Sequence, residues 1–172
     1  MSGINILTAE KQVPVFILHV DPEQWGLSNV IKKHRIKHPE SHKSNVNAWH
    51  SAWDTHKVNP KFKPVAKHIV EACEFIMEGY YDYFGKLKCK ELWAMQYDVG
   101  DSARRHAHFP YTFACAYYVD VEDGCSPIVF EGKLKVPAET GRLVIFPADL
   151  QHEVPPTDSK RTVISANICL TN

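Results

Sequence analysis

The chain contains 172 residues with equal numbers of basic and acidic side chains, 20 of each, and 44% of its residues are hydrophobic. This length and composition suit one domain, residues 1–172, that buries a core without a disulfide or metal to hold it together. The balanced charge and the absence of a sustained basic block argue against charge-driven binding to nucleic acid or to a membrane surface.

The cysteines occur singly, without a CxxC pair, at Cys73, Cys89, Cys115, Cys125 and Cys169. Their odd number and their spacing indicate neither a zinc ribbon nor a disulfide framework, so we expect a reducing, cytoplasmic compartment. Residues 1–5 lack the basic and apolar regions of a signal peptide, and no run approaches the roughly 18 apolar residues of a spanning helix. The sequence leaves the oligomeric state open, with a homodimer as one option.

The N-terminal part, residues 1–88, predicts a strand followed by helices. Residues 13–20 are apolar and β-branched, which is typical of a strand. Asp21 suits the N-cap and Pro22 the first position of a helix that ends near residues 38–39.

A long loop is predicted over residues 40–60, which show no sustained periodicity. Within it, Trp49 and Trp53 either pack over the core or cover the mouth of a pocket. Apolar residues at three- and four-residue spacing over 64–84 predict a second helix, with Gly85 as its stop.

The C-terminal part, residues 89–172, is a series of short extended runs. They span 92–99, 111–119, 127–130, 133–136, 142–146 and 161–170. Helices followed by strands predict an α+β, mainly β domain: a jelly-roll with helices packed on one outer face. In the last run Arg161, Ser165 and Asn167 share one face, which indicates that this face borders a polar space.

The pair His106-x-His108 suggests a metal site. Residues i and i+2 of an extended backbone point the same way, so both imidazoles would face one point. His152, after the apolar run 143–147, is the best candidate for a third ligand. Three neutral imidazoles suit iron, zinc, nickel or copper, so spacing does not name the metal. For the HxH pair alone, surface or hydrogen-bonded histidines are the alternative.

Arg161 narrows the choice of ligand. It follows His152 on the next extended run, and a guanidinium can bind a carboxylate through two parallel hydrogen bonds. A metal together with a buried arginine favours an anionic, chelating cosubstrate; the alternative is a surface charge at the start of a strand.

Residues 92–169 carry a series of motifs in a fixed order. They are Trp93-x-x-x-Tyr97-x-x-Gly100, His106-Ala107-His108, Tyr117-Tyr118-Val119, the run from Gly141 to Pro147, His152-Glu153-Val154 and Arg161. This series resembles the 2-oxoglutarate- and Fe(II)-dependent oxygenase superfamily. It is most similar to small bacterial and phage members that carry HxH, and more distantly to prolyl hydroxylases.

The resemblance implies a double-stranded β-helix, cupin-like fold in which His106 is the first and His152 the last ligand of Fe(II). It also implies a set of residues for 2-oxoglutarate: Arg161 for the distal carboxylate, Tyr97 and Tyr118 as hydrogen-bond donors, and Ser165 and Asn167 as pocket lining. The implied reaction is hydroxylation of a small-molecule or peptide substrate by dioxygen, with release of succinate and CO2.

His108 departs from the superfamily pattern, which usually has Asp or Glu as the second ligand. An imidazole there removes one negative charge beside the metal, which alters metal preference and redox behaviour. Two alternatives therefore stay open: a three-histidine, cupin-like metalloenzyme that does not use 2-oxoglutarate, and a non-catalytic jelly-roll that binds a ligand or a protein.

Overall fold

The computed structural model describes residues 12–42 and 44–171, so the segment 1–5, for which no signal peptide is predicted, lies outside the described residues. The helices are α1 (Leu27–Lys37), α2 (Thr55–Val58) and α3 (Lys63–Tyr81), with a 3-10 helix at Pro60–Phe62. The strands are β1 (Phe16–His19), β2 (Val46–Asn47), β3 (Trp49–His50), β4 (Leu87–Tyr97), β5 (Ser102–His106), β6 (Phe113–Val121), β7 (Ile128–Phe130), β8 (Leu134–Val136), β9 (Arg142–Pro147), β10 (His152–Val154) and β11 (Arg161–Leu170).

The named strands form two antiparallel sheets. One has six strands in the order β1-β9-β6-β11-β4-β3, and the other has five in the order β2-β5-β10-β7-β8. This arrangement, with few helices, confirms the predicted mainly β class.

The six-stranded sheet is buried on both faces. Alternate residues of its strands point to opposite faces, so each strand contributes side chains to both cores. On one face, Leu92 and Ile164 pack in a core with residues of α1 and α3. On the other face, Trp93 and Val163 pack in a second core with residues of the five-stranded sheet. The longer helices therefore lie on one outer face, as predicted, and a cavity can form between the two sheets.

Helix α1 begins at Leu27, and the prediction of a start at Pro22 is wrong. The Asp21 carboxylate accepts a hydrogen bond from the backbone N–H of Glu23 at 3.0 Å, but it stabilises a turn and not a helix. Gly26 then has φ +57°, in the left-handed region, which a right-handed helix cannot include. The turn and the helix are thus separate.

Helix α3 ends at Tyr81, before the predicted stop at Gly85, because Asp82 adopts the left-handed conformation. Phe84, predicted to lie on the buried face, is outside the helix and 73% exposed. The predicted loop 40–60 is also wrong in part, since it contains β2, β3 and α2. Elements of two to four residues are too short to produce a periodic pattern in the sequence.

The cysteines Cys73, Cys89, Cys115, Cys125 and Cys169 are all free thiols, as the spacing predicted. Among residues 12–42 and 44–171, no helix combines the length and apolar character needed to cross a membrane.

Gly141 connects the chain after β1 with β6 through backbone hydrogen bonds, and its conformation can be tested by substitution. It has φ +85°, its N–H donates to the Tyr118 carbonyl and its carbonyl accepts from the N–H of Val20, both at 2.8 Å. A Cβ at this position would lie 2.7 Å from the Val20 carbonyl oxygen. We expect Gly141→Ala to lower the free energy of unfolding by about 2 kcal/mol, measured by urea denaturation.

Gly79→Ala is the matched control, because Gly79 lies in α3 and an added Cβ meets no atom within 4 Å. It should raise the free energy of unfolding by about 0.5–1 kcal/mol through higher helix propensity. Equal effects of the two substitutions would contradict the role given to Gly141.

Candidate metal centre

The register between β5 and β10 brings two of the predicted ligands together. His152 pairs directly with His106 across the antiparallel strands. Directly opposed residues share one face of a sheet, and the two imidazole centroids are 4.4 Å apart. The best candidate for a third ligand in the sequence thus lies beside the first.

His108 completes the cluster from just beyond the end of β5. Its backbone N–H donates to the Ala148 carbonyl at 2.6 Å, and its ring stacks on that of His152 with centroids 5.1 Å apart. The Nε2 atoms of these two rings are 3.3 Å apart. Candidate ligand atoms of His106, His108 and His152 all lie within 4.8 Å of one another, which suits convergence on one ion.

Backbone carbonyls orient two of the rings. The Nδ1 atom of His106 is 2.6 Å from the Arg104 carbonyl oxygen, and Nδ1 of His152 is 3.0 Å from that of Leu150. A carbonyl only accepts, so each Nδ1 carries the proton and each Nε2 keeps its lone pair free for a metal.

Burial keeps the three imidazoles neutral. The pKa of His108 is lowered to about 3 and that of His152 to about 4. Burial is the largest cause of both shifts, and neighbouring histidines contribute to both. Burial also lowers the pKa of His106. Neutral imidazole is the form that binds metals, so the donor set fits a divalent ion.

Arg161 lies in the wall of the same cavity as the three histidines. This cavity lies between the two sheets and has a volume of about 50 Å³. We call it the inner cavity. Arg161 is 3% exposed, its Nη1 donates to the Ser126 carbonyl at 2.6 Å, and its guanidinium carbon lies 4.2 Å from the centroid of the Tyr97 ring.

Among the described residues, the Arg161 guanidinium has no anionic partner within ion-pair distance. No carboxylate of the described residues forms an ion pair with it, and its Nε has no hydrogen-bond acceptor. Within the described wall of the inner cavity there is no Asp or Glu. Burying an uncompensated charge is costly, so the cavity favours an anionic guest.

Tyr97, Tyr118 and Ser165 also line the inner cavity. Burial raises the pKa of Tyr118 to about 12 and also raises that of Tyr97, although Arg161 opposes both shifts. Both phenols therefore stay protonated at neutral pH and can donate hydrogen bonds. Of the residues predicted to line this cavity, Asn167 alone lies elsewhere.

Asn167 lines an adjoining space of about 290 Å³, which we call the outer chamber. The outer chamber shares four wall residues with the inner cavity: Val46, Trp93, His106 and His108. Asn167 pairs across the sheet with Glu91, and its Nδ2 donates to Glu91 Oε2 at 2.7 Å.

The sequence-based prediction missed Glu91, because it began this strand at residue 92, whereas β4 begins at Leu87. A longer strand would have placed Glu91 on the face of Trp93 and Tyr97 by simple alternation. Each tryptophan has one of the two roles considered. Trp49 packs over the core, where its Nε1 donates to the His38 carbonyl, and Trp53 lines the outer chamber.

No protein-family model matches the sequence, and comparison with curated proteins gave no match. Solved structures do match the fold. A prolyl-4-hydroxylase from Pseudomonas putida superposes with a TM-score of 0.70 at 13% identity, covering 92% of this chain and 93% of that one. A prolyl hydroxylase from Trichoplax adhaerens, bound to a peptide of the hypoxia inducible factor, gives 0.66 at 15% identity over 89% and 82%.

The epimerase SnoN, solved with Fe3+, α-ketoglutarate and nogalamycin RO, gives a TM-score of 0.64 at 15% identity over 89% of this chain and 78% of SnoN. Identities this low carry information about the fold alone. The resemblance that the motif order predicts is thus confirmed at that level: the chain has the fold of these two prolyl hydroxylases and of the epimerase SnoN.

Proposed function

We propose that this chain is a non-haem Fe(II)- and 2-oxoglutarate-dependent dioxygenase built on a double-stranded β-helix. It would hydroxylate a small-molecule or peptide substrate with dioxygen and release succinate and CO2. One observation carries the proposal: a buried Arg161 without a carboxylate partner shares a cavity with three converging imidazoles. The structural neighbours named as a prolyl-4-hydroxylase and as an α-ketoglutarate-dependent epimerase support it.

His106, His108 and His152 would hold the iron through Nε2. When bound, iron supplies the one-electron and oxygen chemistry that protein side chains lack. The protein's part is to fix the rings, through the Nδ1 contacts to the carbonyls of Arg104 and Leu150, before the metal arrives.

2-Oxoglutarate carries the negative charge that the described wall of the inner cavity lacks. One of its carboxylates can bind the metal together with the keto oxygen, and the other can pair with Arg161. The wall of the inner cavity also contains Tyr97, Tyr118 and Ser165, which would form hydrogen bonds with the cosubstrate. Because all three protein ligands are neutral, the cosubstrate would be the main counter-charge for both cations, so iron and 2-oxoglutarate should strengthen each other's binding.

The rest of the inner wall is apolar and limits access of water. Buried side chains from both sheets form it: Met95, Ile128, Phe146, Val154 and Val163. Interactions between charges are stronger where water is excluded, which favours a firmly held cosubstrate.

The first test is an anaerobic titration of metal-free protein with Fe(II) and 2-oxoglutarate, followed by visible absorption. We expect the charge-transfer band of the chelate with wild type and with His68→Ala, a control on α3 that lines neither cavity. The band should be lost in His152→Ala, which removes a ligand. Arg161→Ala should raise the concentration of 2-oxoglutarate needed by about tenfold or more, because a charge-assisted pair is lost.

Iron binding without the band would contradict the proposed cosubstrate. Binding of zinc and not of iron would contradict the proposed metal and show that His108 has changed the chemistry of the site.

The second test asks whether the buried charge of Arg161 lowers the free energy of unfolding. In protein without metal or cosubstrate, we expect Arg161→Met to raise the free energy of unfolding by about 1 kcal/mol, because an apolar side chain replaces a buried charge without an anion. The same variant should lose 2-oxoglutarate binding.

Ile145→Ala is the control for burial, since Ile145 is fully buried in β9. It should lower the free energy of unfolding by about 3 kcal/mol through lost packing. An equally large loss in Arg161→Met would mean that Arg161 is a structural residue and would contradict its assignment to an anion.

A further inference from the structure

The outer chamber borders two of the three imidazoles, His106 and His108. Its wall comes from residues 44–53, the first half of β4, the turn after β5 and the end of β11. On the proposed function, a substrate in this chamber would lie beside the metal, so the chemistry of its wall bears on the substrate class.

The described wall of the outer chamber carries one negative charge. Glu91 is the one side chain with a formal charge in the described part of its wall, because burial lowers the pKa of His50 to about 4 and keeps that ring neutral. Glu91 takes part in none of the ion pairs found among residues 12–42 and 44–171. Its described side-chain partners are neutral. Asn167 donates a hydrogen bond to it. Burial and then the hydrogen bond to Glu91 raise the pKa of Tyr111, so that phenol is neutral too. A half-buried carboxylate without a cation favours a positively charged guest.

Aromatic rings surround this carboxylate. Trp53 and Trp93 meet nearly edge to face, with centroids 4.6 Å apart and planes at 65°, and the His50 ring stacks on Trp93 at 13°. Both indoles line the outer chamber, so its wall offers aromatic surface to a guest. Indole is the side chain that attracts cations most strongly through its π-face.

Hydrogen-bond acceptors outnumber donors among the unpaired atoms of this wall. Asn167 Oδ1 is buried without a partner, and so is His50 Nε2, which must be an acceptor because Nδ1 donates to the Ser51 carbonyl. Trp93 Nε1 is the one unpaired donor of this group, and its side chain also borders the inner cavity. A guest rich in N–H groups would match the acceptors.

From these features we infer that the outer chamber binds a substrate that carries a cationic nitrogen, an ammonium or a guanidinium, with Glu91 as its counter-charge and Trp53 and Trp93 as its aromatic walls. A free amine and a lysine or arginine side chain of a peptide present the same cationic chemistry, so either can supply the cation.

The test is calorimetric titration with two probes that differ only in the ammonium group: Nα-acetyl-lysine N-methylamide and Nα-acetyl-norleucine N-methylamide. The protein is the full chain with Fe(II) and 2-oxoglutarate, without oxygen. We expect the lysine probe to bind at least tenfold more tightly than the norleucine probe. Glu91→Gln should reduce that preference to about twofold or less, and Glu91→Asp should retain it because the charge stays.

Glu153→Gln is the matched control. Glu153 is also a half-buried carboxylate and adjoins His152 in sequence, but it lines neither cavity. It should leave the preference unchanged. Equal binding of the two probes to wild type, or an intact preference in Glu91→Gln, would overturn the inference.

The source of the cation is distinguished by n-butylamine, which has the side chain of lysine without the peptide groups. Tighter binding of the blocked lysine would support a peptide substrate, and equal binding would support a small amine. Repeating the titrations without metal separates this inference from the proposed function: a cation preference that survives without iron stands even if the charge-transfer band never forms. A band with no cation preference would overturn the inference alone.

Discussion

The pairing of β10 with β5 is the constraint on which the proposed metal centre depends. It sets His152 directly opposite His106, and β10 is held from its other side by β7, where His152 pairs with Phe130. A slip of one residue would turn the His152 side chain to the other face of the sheet and leave two ligands. The hydrogen bonds from Nδ1 then fix the ring orientation that this register makes possible.

A second register, between β4 and β11, orders the charges along the cavity. Arg161 pairs with Tyr97, Ser165 with Trp93 and Asn167 with Glu91, so the cation and the anion stand at opposite ends of one sheet face. The six steps along the strand from Arg161 to Asn167 span about 20 Å. His106 and His108 border both spaces between these ends. An anionic cosubstrate at one end and a cationic substrate at the other would therefore meet at the proposed metal.

Much of this could be predicted from the sequence because the relevant features are local. Alternation on β11 and the HxH spacing identify the polar face and two ligands, and the strand-rich C-terminal half identifies the mainly β class. The start of α1 could not be predicted because the left-handed conformation of Gly26 competes with a good N-cap at Asp21. Glu91 was missed because the predicted strand began at residue 92, and its contact with Asn167 depends on cross-strand pairing, which a single sequence does not contain.

The most direct measurement is a crystal structure of the protein grown without oxygen with Fe(II) and 2-oxoglutarate, with anomalous data collected at the iron edge. We expect one iron within about 2.0–2.2 Å of Nε2 of His106, His108 and His152, by analogy with metal–imidazole distances in proteins, and a cosubstrate carboxylate on Arg161. Iron bound by His106 and His152 alone, with His108 turned away, or a cosubstrate that does not reach Arg161, would contradict the assignment of these residues to one metal and one anion.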